Sequence, residues 1–83
     1  MNHMEVRMYT GCEELYLGSI KADDEGLYAL SAMLSAQAAE MTEDPALKRG
    51  RYRWASICAR KAGDVEGAAR LLALAQEPPC PTP

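Results

Sequence analysis

The residues able to do chemistry are few and far apart. The single histidine, His3, stands third in the sequence, where a terminal amine, two backbone nitrogens and an imidazole can wrap Cu(II) or Ni(II) in a square plane. Any free terminus with a third-position histidine has that capacity, and Met4 is an alternative start, so no metal role is assigned. Cys12, Cys58 and Cys80 are odd in number and show no CxxC spacing, which points away from a disulfide framework or a zinc site. His3 is remote in sequence from each of them, so the usual Cys-His nucleophile pair is missing. Glu13 and Glu14, like Asp23 and Asp24, are adjacent carboxylates suited to solvation or capping. An acid-base role would need a cleft that so short a chain can barely form. There is no phosphate-cradling glycine loop. The expectation is a protein with no catalytic residue, no metal and no cofactor, hence not an enzyme.

What remains is charge. The segment KRGRYRWASICARK, residues 48–61, holds six basic residues and no acid. On a helix, Arg49, Arg53, Ser56 and Arg60 share one stripe, Leu47, Trp54 and Cys58 share another, and Ala55, Ala59 and Ala62 make a small-residue side where a second helix backbone can lie close. The plainer expectation is a packed helix with one solvated face. The functional one is a contact surface for an acidic protein, or for phosphates. Tyr52 and Trp54 point about 160° apart on a helix and cannot form one stacking platform for bases. A helix-turn-helix reading of ASICARKAGDVEGAARLLAL would present Asp64, Val65, Glu66, Gly67 and Ala68 to a DNA groove, where readout calls for Arg, Lys, Asn or Gln. Two carboxylates there repel DNA.

The net charge of −3 conceals a split. Residues 1–47 are acidic apart from Arg7 and Lys21, whereas residues 48–83 are basic apart from Asp64, Glu66 and Glu77. Opposite lobes suit head-to-tail or two-fold self-contact, or electrostatic steering of a partner. A chain of 83 residues is expected to form one small domain with a thin core, burying about 60% of its unfolded surface, so help from a partner or a second copy is expected. No charged leader with an apolar core opens the chain, and the longest uncharged run, Gly26 to Ala39, is too short to cross a bilayer. With isolated cysteines, this predicts a cytoplasmic protein with reduced thiols and no membrane contact.

The elements that must position these groups follow from periodicity. Met4, Val6 and Met8 alternate with Glu5, Arg7 and Tyr9, and Leu15 and Leu17 repeat the alternation after Gly11, which predicts a β-hairpin over residues 1–21 with its loop at Gly11 to Glu13. Asp23, Asp24 and Glu25 then suit a helix cap and a negative first turn. Leu27, Leu30, Leu34, Ala38 and Met41 form one apolar stripe of that helix. Its other side, Tyr28, Ala32, Ser35 and Ala39, is small and uncharged, so cover on both sides is expected, the second from another subunit. Asp44 and Pro45 suit the start of a second helix to about Ala62, and Gly63 and Asp64 the join to a third ending near Glu77. The tail, residues 78–83, is rich in proline. The predicted fold is a single α+β domain: a hairpin, a helical part over 22–77, and the tail.

Residues 49–82 resemble a single tetratricopeptide-repeat helical hairpin. Ala68 and Ala75 match that family's small packing positions. Tyr52, Ser56 and Leu72 are tolerated types at its aromatic, small and bulky positions, and Gly63-Asp64 is common in its turn. Ala55, Ala59 and Cys80 depart from the pattern. The resemblance covers about two fifths of the chain and implies two antiparallel helices packed through alanines; no ligand-binding residue carries over. Arrays of this kind need about three repeats to bury a core, and no second copy stands out in the sequence. Together these readings predict a non-enzymatic protein-interaction module, a homodimeric small regulator or inhibitor of the kind a phage or mobile element carries. Leu27, Tyr28, Leu30, Leu34 and Met41 are the expected dimer contact, and Arg49, Arg53 and Arg60, or the acidic rim Asp23, Asp24 and Glu25, the expected partner contact. A nucleic-acid-binding accessory protein using the three arginines is the alternative.

Overall fold

The structure, a computed structural model, describes residues 11–76. Those residues form four helices: α1 (Cys12–Asp24), α2 (Tyr28–Met41), α3 (Pro45–Lys61) and α4 (Val65–Gln76). No strand occurs among them, so the α+β expectation is corrected to an all-helical fold. The predicted first strand, with Met4, Val6 and Met8, lies outside the described residues. The predicted loop and second strand, Gly11 to Leu17, begin α1 instead. Leu15 and Leu17 gave only one step of alternation, too little to separate a strand from a helix. The residues α1 buries, Leu15, Gly18, Ser19 and Ala22, fall at helical spacing. The Glu14 side chain closes the first turn by accepting from the Gly11 N–H at 2.9 Å, Glu13 and Glu14 sit where the helix dipole favours anions, and Lys21 lies in the last turn, where it favours cations.

Asp23, Asp24 and Glu25 therefore do not begin a helix. Asp23 and Asp24 end α1, and Gly26, at φ 81°, turns the chain. Leu27 N donates to Ala22 O at 2.8 Å and Gly26 N to Asp23 O at 3.0 Å, a left-handed glycine stop that side chains resist. Gly63, at φ 88°, repeats the arrangement: Asp64 N donates to Ala59 O at 2.9 Å and Gly63 N to Arg60 O at 2.9 Å. Asp44 and Asp64 cap the following helices, accepting from Leu47 N and Gly67 N, and Pro45 opens α3 where its missing N–H costs nothing. The three connections, 25–27, 42–44 and 62–64, are short enough to make neighbouring helices antiparallel. Each helix packs closely on the next, α1 on α2, α2 on α3, α3 on α4.

The two hairpins, α1–α2 and α3–α4, share part of their pattern at an offset of 37 residues, with Gly26 and Gly63 at equivalent turns. Buried Leu15, Gly18, Ser19, Ala22, Ser31 and Ala38 correspond to buried Tyr52, Ala55, Ser56, Ala59, Ala68 and Ala75. Even a side-chain bond recurs: Ser19 Oγ donates to Tyr16 O at 2.6 Å, and Ser56 Oγ to Arg53 O at 2.7 Å. Among the described residues the identical pairs are Ser19/Ser56, Ile20/Ile57, Ala22/Ala59, Gly26/Gly63, Ala32/Ala69, Leu34/Leu71, Ala36/Ala73 and Ala38/Ala75. Half of these are alanines in an alanine-rich chain, so sequence alone hides a repeat that burial and turn geometry make plain.

The core is built from small residues. Cys58, Ser19, Ser31 and Ser35 are the largest side chains that are fully buried, which lets helix backbones approach closely but limits the apolar area removed from water. Apart from Leu15 and Leu34, most larger aliphatic groups sit outside: Leu17, Leu27, Leu30, Met33, Leu47, Ile57 and Val65 are all exposed. Hydrogen bonds therefore share the work of holding the helices. Ser31 Oγ donates to Ser19 O at 2.7 Å and lies 3.0 Å from Cys58 Sγ, which ties α2 to α1 and α3 at one point.

Candidate functional site

Three side chains of α3 reach α1. Arg51, only 7% exposed, donates from Nη1 to Thr42 Oγ1 at 2.9 Å and Cys12 Sγ at 3.0 Å, and from Nη2 to Glu13 Oε2 at 2.9 Å. Its guanidinium lies 4.7 Å from the centre of the Tyr16 ring. Burial acts to lower its pKa, but the hydrogen bond to Glu13 together with the electrostatic pull of Cys12, Glu13 and Tyr16 carries it above the ordinary arginine value. One turn on, Trp54 Nε1 donates to Ser19 Oγ at 3.1 Å. At the far end Lys61 Nζ meets Asp23 Oδ1 at 3.0 Å, with the Tyr28 and Trp54 rings 5.2 and 5.8 Å away. That hydrogen bond holds the Lys61 ammonium above the usual lysine range. Together the three contacts fasten the second hairpin to the first.

The arginines singled out in the sequence face elsewhere. Arg53 and Arg60 are exposed and Arg49 is half-buried. None of the three makes a side-chain hydrogen bond or ion pair among the described residues, and Arg49 Nη1 is buried with no partner. Arg53 and Arg60 line an open groove of about 440 Å³ with Ser56, Ile57, Lys61 and Leu72. Ser56 itself is buried and is not part of a solvated face. The aromatic pair is divided as its angular separation predicted: Tyr52 packs with Ala39 and Ala75, Trp54 against α1.

The acidic rim is not one surface. Asp23 is engaged with Lys61 and its side chain is only 17% exposed, Glu25 lies 3.6 Å from Lys21, and Asp24 is exposed. Of the expected dimer contact, Leu34 is turned into the core beside Leu15 and Ala38. Leu27, Leu30 and Met41 remain exposed, with Met33 beside them, and Tyr28 is half-buried. The covered arc of α2 is instead Ser31, Leu34, Ser35, Ala38 and Ala39.

Cys58 is fully buried, and burial pushes its thiol up against a smaller opposite effect of the Ser31 contact, so it is a protonated packing residue at neutral pH. Cys12 is half-buried and reduced. His3 and Cys80 lie outside the described residues, among which no group of three His, Cys, Asp or Glu is placed to hold a metal ion. No described helix is long and apolar enough to cross a membrane. Arg51 and Lys61 sit off the arginine stripe, and no signal in the sequence separates them from it; only the packing that brings their side chains to Glu13 and Asp23 of α1 does. Comparisons of the chain with models of known families, with curated proteins and with solved structures return no match.

Proposed function

We propose that the chain is a small non-enzymatic interaction module that acts by occupying protein surfaces, including those of its own copies, as a regulator or inhibitor does. One observation carries this reading: Arg51 and Lys61 are paired with acids of α1, whereas Arg49, Arg53 and Arg60 make no ion pair among the described residues, and Arg53 and Arg60 line a groove with Ile57 and Leu72. Arginines flanking an apolar slot suit a protein contact, in which the apolar residues fill and the charges select. Exposed large aliphatics around a small-residue core add to it, since apolar surface of this kind is a usual mark of an interaction face. Self-association across Leu27, Leu30, Met33 and Met41 of α2 is one form it can take. Free Cys12 and buried, protonated Cys58 suit a cytoplasmic setting.

Nucleic-acid contact through the same arginines is the competing reading. Capture from a host extract with wild type and with an Arg49→Ala, Arg53→Ala, Arg60→Ala variant, each with and without nuclease, separates them. The proposal expects a protein that survives nuclease and is lost with the arginines. Nucleic acid as the sole arginine-dependent capture, with affinity falling steeply in salt, overturns it.

A further inference from the structure

We propose that the groove on α3 is a docking slot for α1 of a second copy, so that chains join head to tail by repeating the contact that already joins the two hairpins within one chain. This rests on the interaction-module reading and names the partner. In the 37-residue correspondence, the α1 stripe that receives the second hairpin, Cys12, Tyr16, Ser19 and Asp23, becomes Arg49, Arg53, Ser56 and Arg60. The arginine stripe is thus the receiving face of the second hairpin. At Ser19 the Trp54 indole is seated; at Ser56, with the same hydroxyl bond to the preceding turn, the groove is open.

The same correspondence says what α1 of another copy would bring. Arg51, Trp54 and Lys61 become Glu14, Leu17 and Asp24. On the donor side both charges are reversed; on the receiving side Asp23 becomes Arg60, the uncharged Cys12 and Tyr16 become Arg49 and Arg53, and Glu13, which pairs with Arg51 within the chain, becomes Gly50. Within the chain Arg51 lies on Cys12 and Tyr16; between chains Glu14, which also accepts from Gly11 N, comes to Arg49 and Arg53. Within the chain Lys61 meets Asp23; between chains Asp24 meets Arg60. Leu17, 61% exposed, takes the place of Trp54 over Ser56 and Ile57. One substitution fits badly: Lys21 stands where Cys58 does, over Ala68, and Lys21→Ala should tighten the contact. Because the two faces differ, the association is open-ended rather than a two-fold pair.

Sedimentation of the full chain over a concentration series, at low and high salt, tests this. Wild type should grow past a dimer, less so in high salt. Leu17→Asp spoils the donor face and Arg60→Glu the groove, and each should weaken self-association at least about tenfold, since like charges across a contact are strongly disfavoured. Mixed together, these two variants should form a 1:1 complex and stop, because one intact groove meets one intact α1. Asp24→Arg combined with Arg60→Asp in one chain should restore growth. All these positions are exposed, and circular dichroism checks that each variant is folded. A wild type that stays monomeric at its highest attainable concentration overturns the proposal. So does self-association that Leu30→Glu on α2 abolishes while Leu17→Asp and Arg60→Glu leave it intact. A monomer that still captures a nuclease-resistant protein through its arginines overturns this inference alone; loss of that capture as well removes the interaction-module reading with it.

Discussion

Replacing Arg51 tests whether α1 is held to α3 by a buried ion or by the stem that carries it. Arg51→Ala removes two methylenes from a nearly buried position, at about 0.8 kcal/mol each. It also removes a charged donor from Thr42 Oγ1, worth about 1.5 kcal/mol at the low end, because Thr42 keeps its own bond to Ala38 O. The Tyr16 stacking adds about 0.5–1 kcal/mol. The Glu13 pair adds under about 1 kcal/mol, since its carboxylate is 72% exposed and screened. Against these stands the relief of no longer burying a guanidinium, which reaches several kcal/mol in the limit. The net loss should be about 2 kcal/mol, a fall in Tm on the order of 10 °C for a domain of this size. Arg51→Met keeps most of the stem packing and the same relief, so its loss should stay under about 1 kcal/mol. Urea unfolding followed by helical circular dichroism and by the fluorescence of Trp54, the only tryptophan, measures both and reports on this contact. Equal losses for the two variants would show that the guanidinium holds the helices. No loss for Arg51→Ala would refute the contact itself.

The other expectations test the repeat and the polar core. Gly26→Ala and Gly63→Ala meet no neighbouring atom, so each should cost only the left-handed backbone penalty, about 1–2 kcal/mol, and the two values should agree; a large difference in melting curves would mean the turns are not equivalent. Cys58, kept protonated by burial, should react with a thiol reagent only as fast as the protein unfolds, in a Cys12→Ser, Cys80→Ser background, and rapid labelling in native buffer would contradict its placement. The Lys61 pair contributes fully while both folded and unfolded lysine are protonated. Its folded pKa lies above the unfolded one, so the contribution shrinks above about pH 10.4 and is gone beyond the folded value. Asp23→Asn should flatten that alkaline decline in a pH series of unfolding midpoints, and an unchanged slope would exclude the pair as its source.

Helix ends were legible where chemistry is local. Asp44-Pro45 and Gly63-Asp64 each hold their own cap or turn, so the bounds of α3 and the start of α4 follow from a few adjacent residues. Gly26 carries the same signal as Gly63, yet Asp23-Asp24-Glu25 before it reads as a helix start because acids favour both a cap and the solvated end of a helix. The alternation around Leu15 and Leu17 misled for a related reason: two residues fit either period, and only packing of Leu15 against Leu34 and Ala38 decides.

The sequence by itself determined the split of charge between its two halves and the alanine sides of its helices, since each follows from residue type and spacing. Only the tertiary structure decided which basic residues are structural and which are left over. Arg51 and Lys61 are separated from Arg49, Arg53 and Arg60 by angles on α3 that mean nothing until α1 is laid against one side. Charge pairing depends on distance through space, and no spacing along the chain supplies it.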